Sequence, residues 1–142
     1  MKLAVLDTNV VVSAALQRLG ASARIVWEAL DGQIQLVTCP AVIAEYREVV
    51  YRPRLARKGL PPEWLDFLVG QSLLLPDPPP WPLPGPDPDD LVFLALARSA
   101  GAVLVTGNLA DYPGPIRRGV HVLSPRDYCE REVLPRDVPG DR

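Results

Sequence analysis

Continuous apolar runs of strand length alternate along this chain with stretches whose apolar residues recur at helical spacing. The first run, Leu3-Ala4-Val5-Leu6, stops at Asp7-Thr8-Asn9, and Val10-Val11-Val12-Ser13-Ala14-Ala15-Leu16 follows at once. An apolar run bounded by a turn signal reads as a strand buried on both faces. Asp, Thr and Asn are good helix N-cap types, so the pattern predicts strand, sharp turn, helix. Ser22 is the predicted cap of a second helix over 23–30, where Ile25, Val26, Ala29 and Leu30 share a face and Asp31-Gly32 ends it. Residues 33–38 predict the second strand. Pro40 then opens a helix over 41–50 with Val42, Ile43, Tyr46, Val49 and Val50 as its apolar stripe. A further helix begins at Pro61-Pro62-Glu63 and assigns Trp64, Leu65, Phe67 and Leu68 to the core, and residues 73–75 predict a short strand.

Eight of the thirteen residues 76–88 are proline, which excludes helix and central strand and predicts an extended crossover. It delivers Asp87-Pro88-Asp89-Asp90 to the start of an apolar helix that Ala100-Gly101 ends. Residues 102–106 predict a buried strand running into a polar tip at 107–113. Residues 120–123 predict an edge strand, and Ser124 caps a last helix over 125–133. Pro135, Pro139 and Gly140 predict a disordered tail over 134–142. Strand–helix alternation with right-handed crossovers makes residues 1–133 an α/β domain. Its expected form is a three-layer α/β/α sandwich around a parallel sheet of four to five strands.

The composition narrows the chemistry. The chain has 142 residues, 48% of them hydrophobic, enough for one core. With 15 Lys and Arg against 17 Asp and Glu, the formal net charge is −2, so no global basic field announces nucleic acid. The densest positive segment, 51–59, carries Arg52, Arg54, Arg57 and Lys58. It reads as a solvated loop or as a rim that holds phosphates or a partner's acidic segment. Cys39 and Cys129 form no CxxC and no Cys/His cluster, which argues against zinc and a disulfide framework. His121 is the only histidine. The lack of a leader or of an 18-residue apolar run predicts a soluble, cytoplasmic protein with no membrane partner.

Four polar clusters then share one context. Asp7 ends one predicted strand and Asn108 follows another. Asp87, Asp89 and Asp90 stand at a helix N-terminus, and Glu45 lies beside an apolar stripe with Glu48 further round. Taken singly, each has a plain explanation as a cap or a solvated helix residue. Together they fall on the rim formed by strand ends and following helix N-termini. Three carboxylates in four residues repel one another unless a cation sits between them. Such a set suits Mg²⁺ or Mn²⁺, hard cations that take oxygen ligands and keep several waters.

These residues also resemble a known family. Leu6-Asp7-Thr8-Asn9-Val10-Val11-Val12-Ser13-Ala14, Ala44-Glu45-Tyr46-Arg47-Glu48-Val49 and Asp87-Pro88-Asp89-Asp90 with Phe93-Leu94-Ala95-Leu96-Ala97 carry the likeness. So do Val105-Thr106-Gly107-Asn108-Leu109-Ala110-Asp111-Tyr112-Pro113 and Leu123-Ser124-Pro125-Arg126-Asp127-Tyr128. In order and spacing the set resembles the PIN-domain nucleases, and among them the VapC-like toxins of toxin–antitoxin pairs. The resemblance implies a metal-dependent endoribonuclease with a Mg²⁺ or Mn²⁺ cofactor. Asp7, Glu45 and Asp90 would be its core acids, and Asp87 or Asp89 auxiliary. Thr8 and Asn9 would hold the Asp7 loop, and Thr106 would support the site. Where the family often has a fourth acid this chain has Asn108, which accepts a contact without bringing charge, and Asp111 stands three residues on as a substitute. The implied partners are an RNA substrate, a cognate antitoxin protein and further copies of the chain, as a homodimer or higher homo-oligomer.

The competing readings are a catalytically weak or inactive PIN-fold protein that binds RNA or a partner, and a phosphatase with Asp7 as nucleophile. The phosphatase needs a second Asp two residues on, where this chain has Asn9. Nucleotide-cofactor binding lacks both a GxGxxG and a P-loop.

Overall fold

The computed structural model describes residues 2–53 and 62–133. Among them the elements run β1 (Lys2–Leu6), α1 (Thr8–Leu16), α2 (Ala21–Leu30), β2 (Ile34–Thr38), α3 (Pro40–Val50), α4 (Pro62–Gly70), β3 (Leu73–Leu74), α5 (Leu91–Ala100), β4 (Val103–Val105), β5 (Val122–Leu123) and α6 (Pro125–Glu132). The strands form one five-stranded sheet in the order β3-β2-β1-β4-β5, and every pairing is parallel. The chain steps outward from β1 through β2 to β3, then returns to the other side of β1 for β4 and β5. With right-handed crossovers, α1 and α2 cover one face and α5 the other, which makes the three layers of an α/β/α sandwich.

Central β1 explains why the first apolar run is continuous. Ala4, Val5 and Leu6 are buried on both faces, as a middle strand of a covered parallel sheet requires. In α5, Phe93, Leu94, Ala95, Leu96 and Ala97 are all buried, so this helix sits almost wholly inside, against β1, β2 and β4. Gly101 closes it in the left-handed conformation (φ 65°), where a side chain would be strained.

The crossover over 75–87 contains neither helix nor strand. It is pinned by Trp81, whose Nε1 donates to the Ile116 carbonyl at 2.9 Å while the Arg98 guanidinium lies 5.7 Å from its ring centre. Gly85 permits the close approach, since a Cβ there would come within 2.9 Å of Leu91 Cδ2.

Two local expectations need correction, while the short strand expected at 73–75 forms over Leu73–Leu74. Ser22 is not a cap: α2 starts at Ala21 with Gly20 at its N-cap, and Ser22 is buried within the first turn. Phe67 is not core, being 59% exposed, whereas Leu65 and Leu68 on the same helix are buried. The leucines of β3 are both exposed because β3 is the sheet's edge. The expected tail over 134–142 lies outside the described residues.

Candidate active site

The sheet reverses its direction of growth between β1 and β4. In open α/β sheets the crevice beyond the carboxyl ends of two such strands is where ligands bind. Leu6 and Val105 are register partners, and the Asp7 N–H donates to the Val105 carbonyl at 2.9 Å. The two strands therefore end level, with Asp7 on one and Thr106 on the other.

Asp7 occupies the N-cap position of α1, but its side chain makes no cap hydrogen bond. It is only 4% exposed, and its Oδ2 accepts from Thr106 Oγ1 at 2.9 Å and from Tyr112 Oη at 2.8 Å. Burial pushes the carboxyl up from its ordinary value. Tyr112, Thr106 and the Thr8 backbone N–H pull it back down, and Asp111 raises it again. Asn9 ties the two loops together, its Oδ1 accepting from the Gly107 N–H at 2.8 Å. Thr106 Oγ1 also accepts from the Asn108 N–H at 3.1 Å.

Asp90, at the N-terminus of α5, joins this group. Its carboxyl is pushed up to about 7, first by burial, then by Asp7, by a hydrogen bond with Asp111, and by the charge of Asp87. Glu45, half-buried on α3, is raised by burial and then by Glu48, Asp89 and Asp7, while Arg52 acts in the other direction. The carboxylates of α3, α5, β1 and the 3-10 turn Leu109–Asp111 thus feel one another across a single crevice.

A scan for known protein domains matches a PIN domain model over residues 3–110. The chain belongs to the PIN-domain family. No curated protein shows significant sequence similarity to it. Among solved structures, the fold is similar to that of VapBC2 from Rickettsia felis bound to a DNA fragment from its promoter. That match has a TM-score of 0.60 at 15% identity and covers 86% of this chain and 98% of that one. It is also similar to FitAcB from Neisseria gonorrhoeae, with a TM-score of 0.55 at 17% identity, covering 87% and 98%. A third match, PAE2754 from Pyrobaculum aerophilum, has a TM-score of 0.54 at 18% identity and covers 92% and 88%.

In this PIN domain the structure sorts the residues singled out from sequence. Asp7, Asp90 and Asp111 share the crevice and Glu45 feels Asp7 from α3, with Thr106 and Asn9 bracing the strand ends. Asp87 has a second task, since its Oδ1 accepts from the Asp89 N–H at 3.0 Å and caps the 3-10 turn Pro88–Asp90. Asn108 is exposed and reaches the site through its backbone N–H. Arg52 is exposed at the end of α3, 3.7 Å from Glu48, beside an open groove of about 890 Å³ lined in part by Ile43, Ala44, Tyr51 and Leu74. Arg54, Arg57 and Lys58 lie outside the described residues. His121 precedes β5, at the opposite end of the sheet from the acids. Both cysteines are free, and no described helix is long and apolar enough to cross a membrane.

Two tyrosines escaped the sequence reading. Tyr112 looked like part of a polar loop tip, and Tyr46 like one more member of an apolar stripe. Tyr46 is buried and its hydroxyl donates to the Leu6 carbonyl at 2.5 Å, bracing the strand end just before Asp7. The only available signal was that buried Tyr hydroxyls need partners, and the sequence does not show which partners lie near.

Proposed function

We propose that this PIN domain is a divalent-metal-dependent endoribonuclease and the toxin member of a toxin–antitoxin pair. The observation that carries the proposal is that buried Asp7 raises the carboxyls of both Glu45 and Asp90, while Asp111 raises Asp7 and Asp90 from the other side of the crevice. Like charges held together at partial burial are costly unless a cation joins them.

The donor set fits a hard cation. It is all oxygen, and the Thr8 hydroxyl beside Asp7 is buried with no hydrogen-bond partner among the described residues. Those residues hold no ready-made cage of three metal-ligating side chains. Mg²⁺ does not need one, because it is commonly held by one or two carboxylates and keeps several waters. Asp7 and Asp90 are the proposed ligands, with Glu45, Asp87, Asp111 and Asn108 completing the shell directly or through water. When bound, Mg²⁺ or Mn²⁺ supplies charge to stabilise the phosphorane-like transition state and lowers the pKa of water.

The chain's own residues do the rest. Thr106 and Asn9 keep the ends of β1 and β4 in register, so Asp7 does not turn back to cap α1. Glu45, whose raised carboxyl sits at the margin of the site, accepts a proton from the attacking water. Arg52 neutralises part of the acidic rim and meets the RNA backbone. Water oxygen would bond to phosphorus as the 3′ oxygen leaves with the electrons of the broken P–O bond and takes a proton from solvent, giving a 5′-phosphate and a 3′-hydroxyl.

The antitoxin reading rests on likeness to structures in which a PIN-fold chain is crystallised as VapBC2 or FitAcB. The exposed apolar side chains Trp27, Phe67, Leu73 and Leu74 offer surface for that partner or a second copy.

The test is cleavage of a panel of structured and single-stranded RNAs with Mn²⁺ and with chelator, using wild type and Asp90→Asn. Metal-dependent cutting lost in the variant is the expected result, and cutting retained in Asp90→Asn would sink the assignment. Asn108 brings no charge where a fourth acid is common, which favours one alternative, a weak or inactive binder. Mn²⁺ binding with no cleavage of any RNA would support that reading.

A further inference from the structure

The two donors to Asp7 come from different places. Thr106 directly follows β4, but Tyr112 stands beyond the 3-10 turn Leu109–Asp111 and is itself fully buried. Its main chain is fastened at both ends: the N–H donates to the Leu109 carbonyl at 3.0 Å, and its carbonyl accepts from Arg117 Nε at 2.6 Å. A residue that only filled space would need no hydroxyl. This one is aimed at Asp7 Oδ2 across a sequence separation of 105 residues.

We propose that Tyr112 is a positioning residue for the cation ligand Asp7. Its hydroxyl and that of Thr106 converge on Oδ2, which fixes the rotation of the carboxylate before any ion arrives. Binding then does not have to order that side chain, and hydrogen-bonded partners of metal-ligating carboxylates matter for this reason. The Asp111-Tyr112 pair thereby serves both core acids from one turn, Asp111 toward Asp90 and Tyr112 toward Asp7. The inference rests on the metal reading given above.

The experiment is calorimetric titration of the full chain with Mn²⁺ alone, without RNA. Tyr112→Phe keeps the ring and removes only the hydroxyl. It should weaken Mn²⁺ binding by about tenfold or more while leaving the circular dichroism spectrum unchanged. In an Asp7→Asn background the same change should have no further effect on residual binding, a result that a general packing role would not produce. Wild-type binding that Tyr112→Phe leaves untouched overturns the positioning role alone. Absence of saturable binding in wild type overturns the metal centre, and the role toward it with it.

A second measurement needs no folded variant of Tyr112. The buried Tyr112 hydroxyl proton should give a slowly exchanging nuclear magnetic resonance that survives saturation with Mg²⁺. Its disappearance on Mg²⁺ binding overturns the proposal.

Discussion

Asp90 bears the largest resolved strain among the gathered acids. Its carboxyl, ordinarily at 3.8, is pushed up to about 7 by burial, by Asp7, by its hydrogen bond with Asp111 and by Asp87. In metal-free protein the folded state therefore holds a proton that the unfolded chain has already released between those two values. Stability is highest below 3.8 as far as this group is concerned, and it falls as pH rises toward 7. Asp90→Asn removes the ionising group while keeping its shape. Measured in chelator, its melting temperature should exceed that of wild type at pH 8, and the two should draw together as the pH is lowered to about 4. A wild-type advantage at pH 8 would show that Asp90 is stabilised by its neighbours rather than strained by them. At this scale the sequence was half legible. Which acids would meet could be argued from strand ends and helix starts, but Asp7 taken alone was an even choice between site acid and cap, and only the other acidic clusters tipped it. That its side chain makes no cap bond is due to Thr106 and Tyr112, 99 and 105 residues away, which no local pattern encodes.

Among the elements, the proline-rich crossover most directly connects folding to the site, because it ends in Asp87, Asp89 and Asp90. Proline keeps it extended, yet extension alone would let it swing. Trp81 fixes it through a hydrogen bond to Ile116 and a cation–π contact with Arg98. Trp81→Phe keeps most of the ring but leaves the Ile116 carbonyl without this donor. It should cost about 1–2 kcal/mol in urea unfolding, with Mn²⁺ affinity preserved because the strap still docks. Trp81→Ala should lower both stability and Mn²⁺ affinity, since it frees the segment that presents the acids. Element types were readable because buried parallel strands are continuously apolar and the helices keep their period. Errors came where tertiary context decides between equals. Ser22 and Gly20 are both acceptable N-caps, and the backbone chose Gly20 while burying Ser22. Phe67 neighbours buried Leu68 in sequence but lies 59% exposed on another face of α4.

At the scale of the whole molecule, a net charge of −2 conceals an uneven field. Asp7, Asp90 and Asp111 share the crevice at the β1–β4 switch point, with Glu45 near Asp7, so under the proposed function the metal-free site would repel the RNA it is to cut. A divalent cation removes that repulsion and the strain within the cluster together, so metal binding should be coupled to folding. A ligand at about 100 times its Kd adds about 2.7 kcal/mol to stability, which for a chain of this size is a rise of roughly 5–10 °C in melting temperature. Mn²⁺ at saturating concentration should produce a shift of that order in wild type, reversed by chelator. Ca²⁺, larger and less demanding in geometry, should produce less. Asp7→Asn should cut most of the shift and leave only weak residual binding, because it removes the most buried of the carboxylates without creating a cavity. If Asp7→Asn kept the full Mn²⁺ shift, the ion would be binding elsewhere, and the crevice would be an acidic cluster without a cation. Differential scanning fluorimetry over a series of Mn²⁺ concentrations decides this with no RNA present, so it judges the metal centre independently of any choice of substrate.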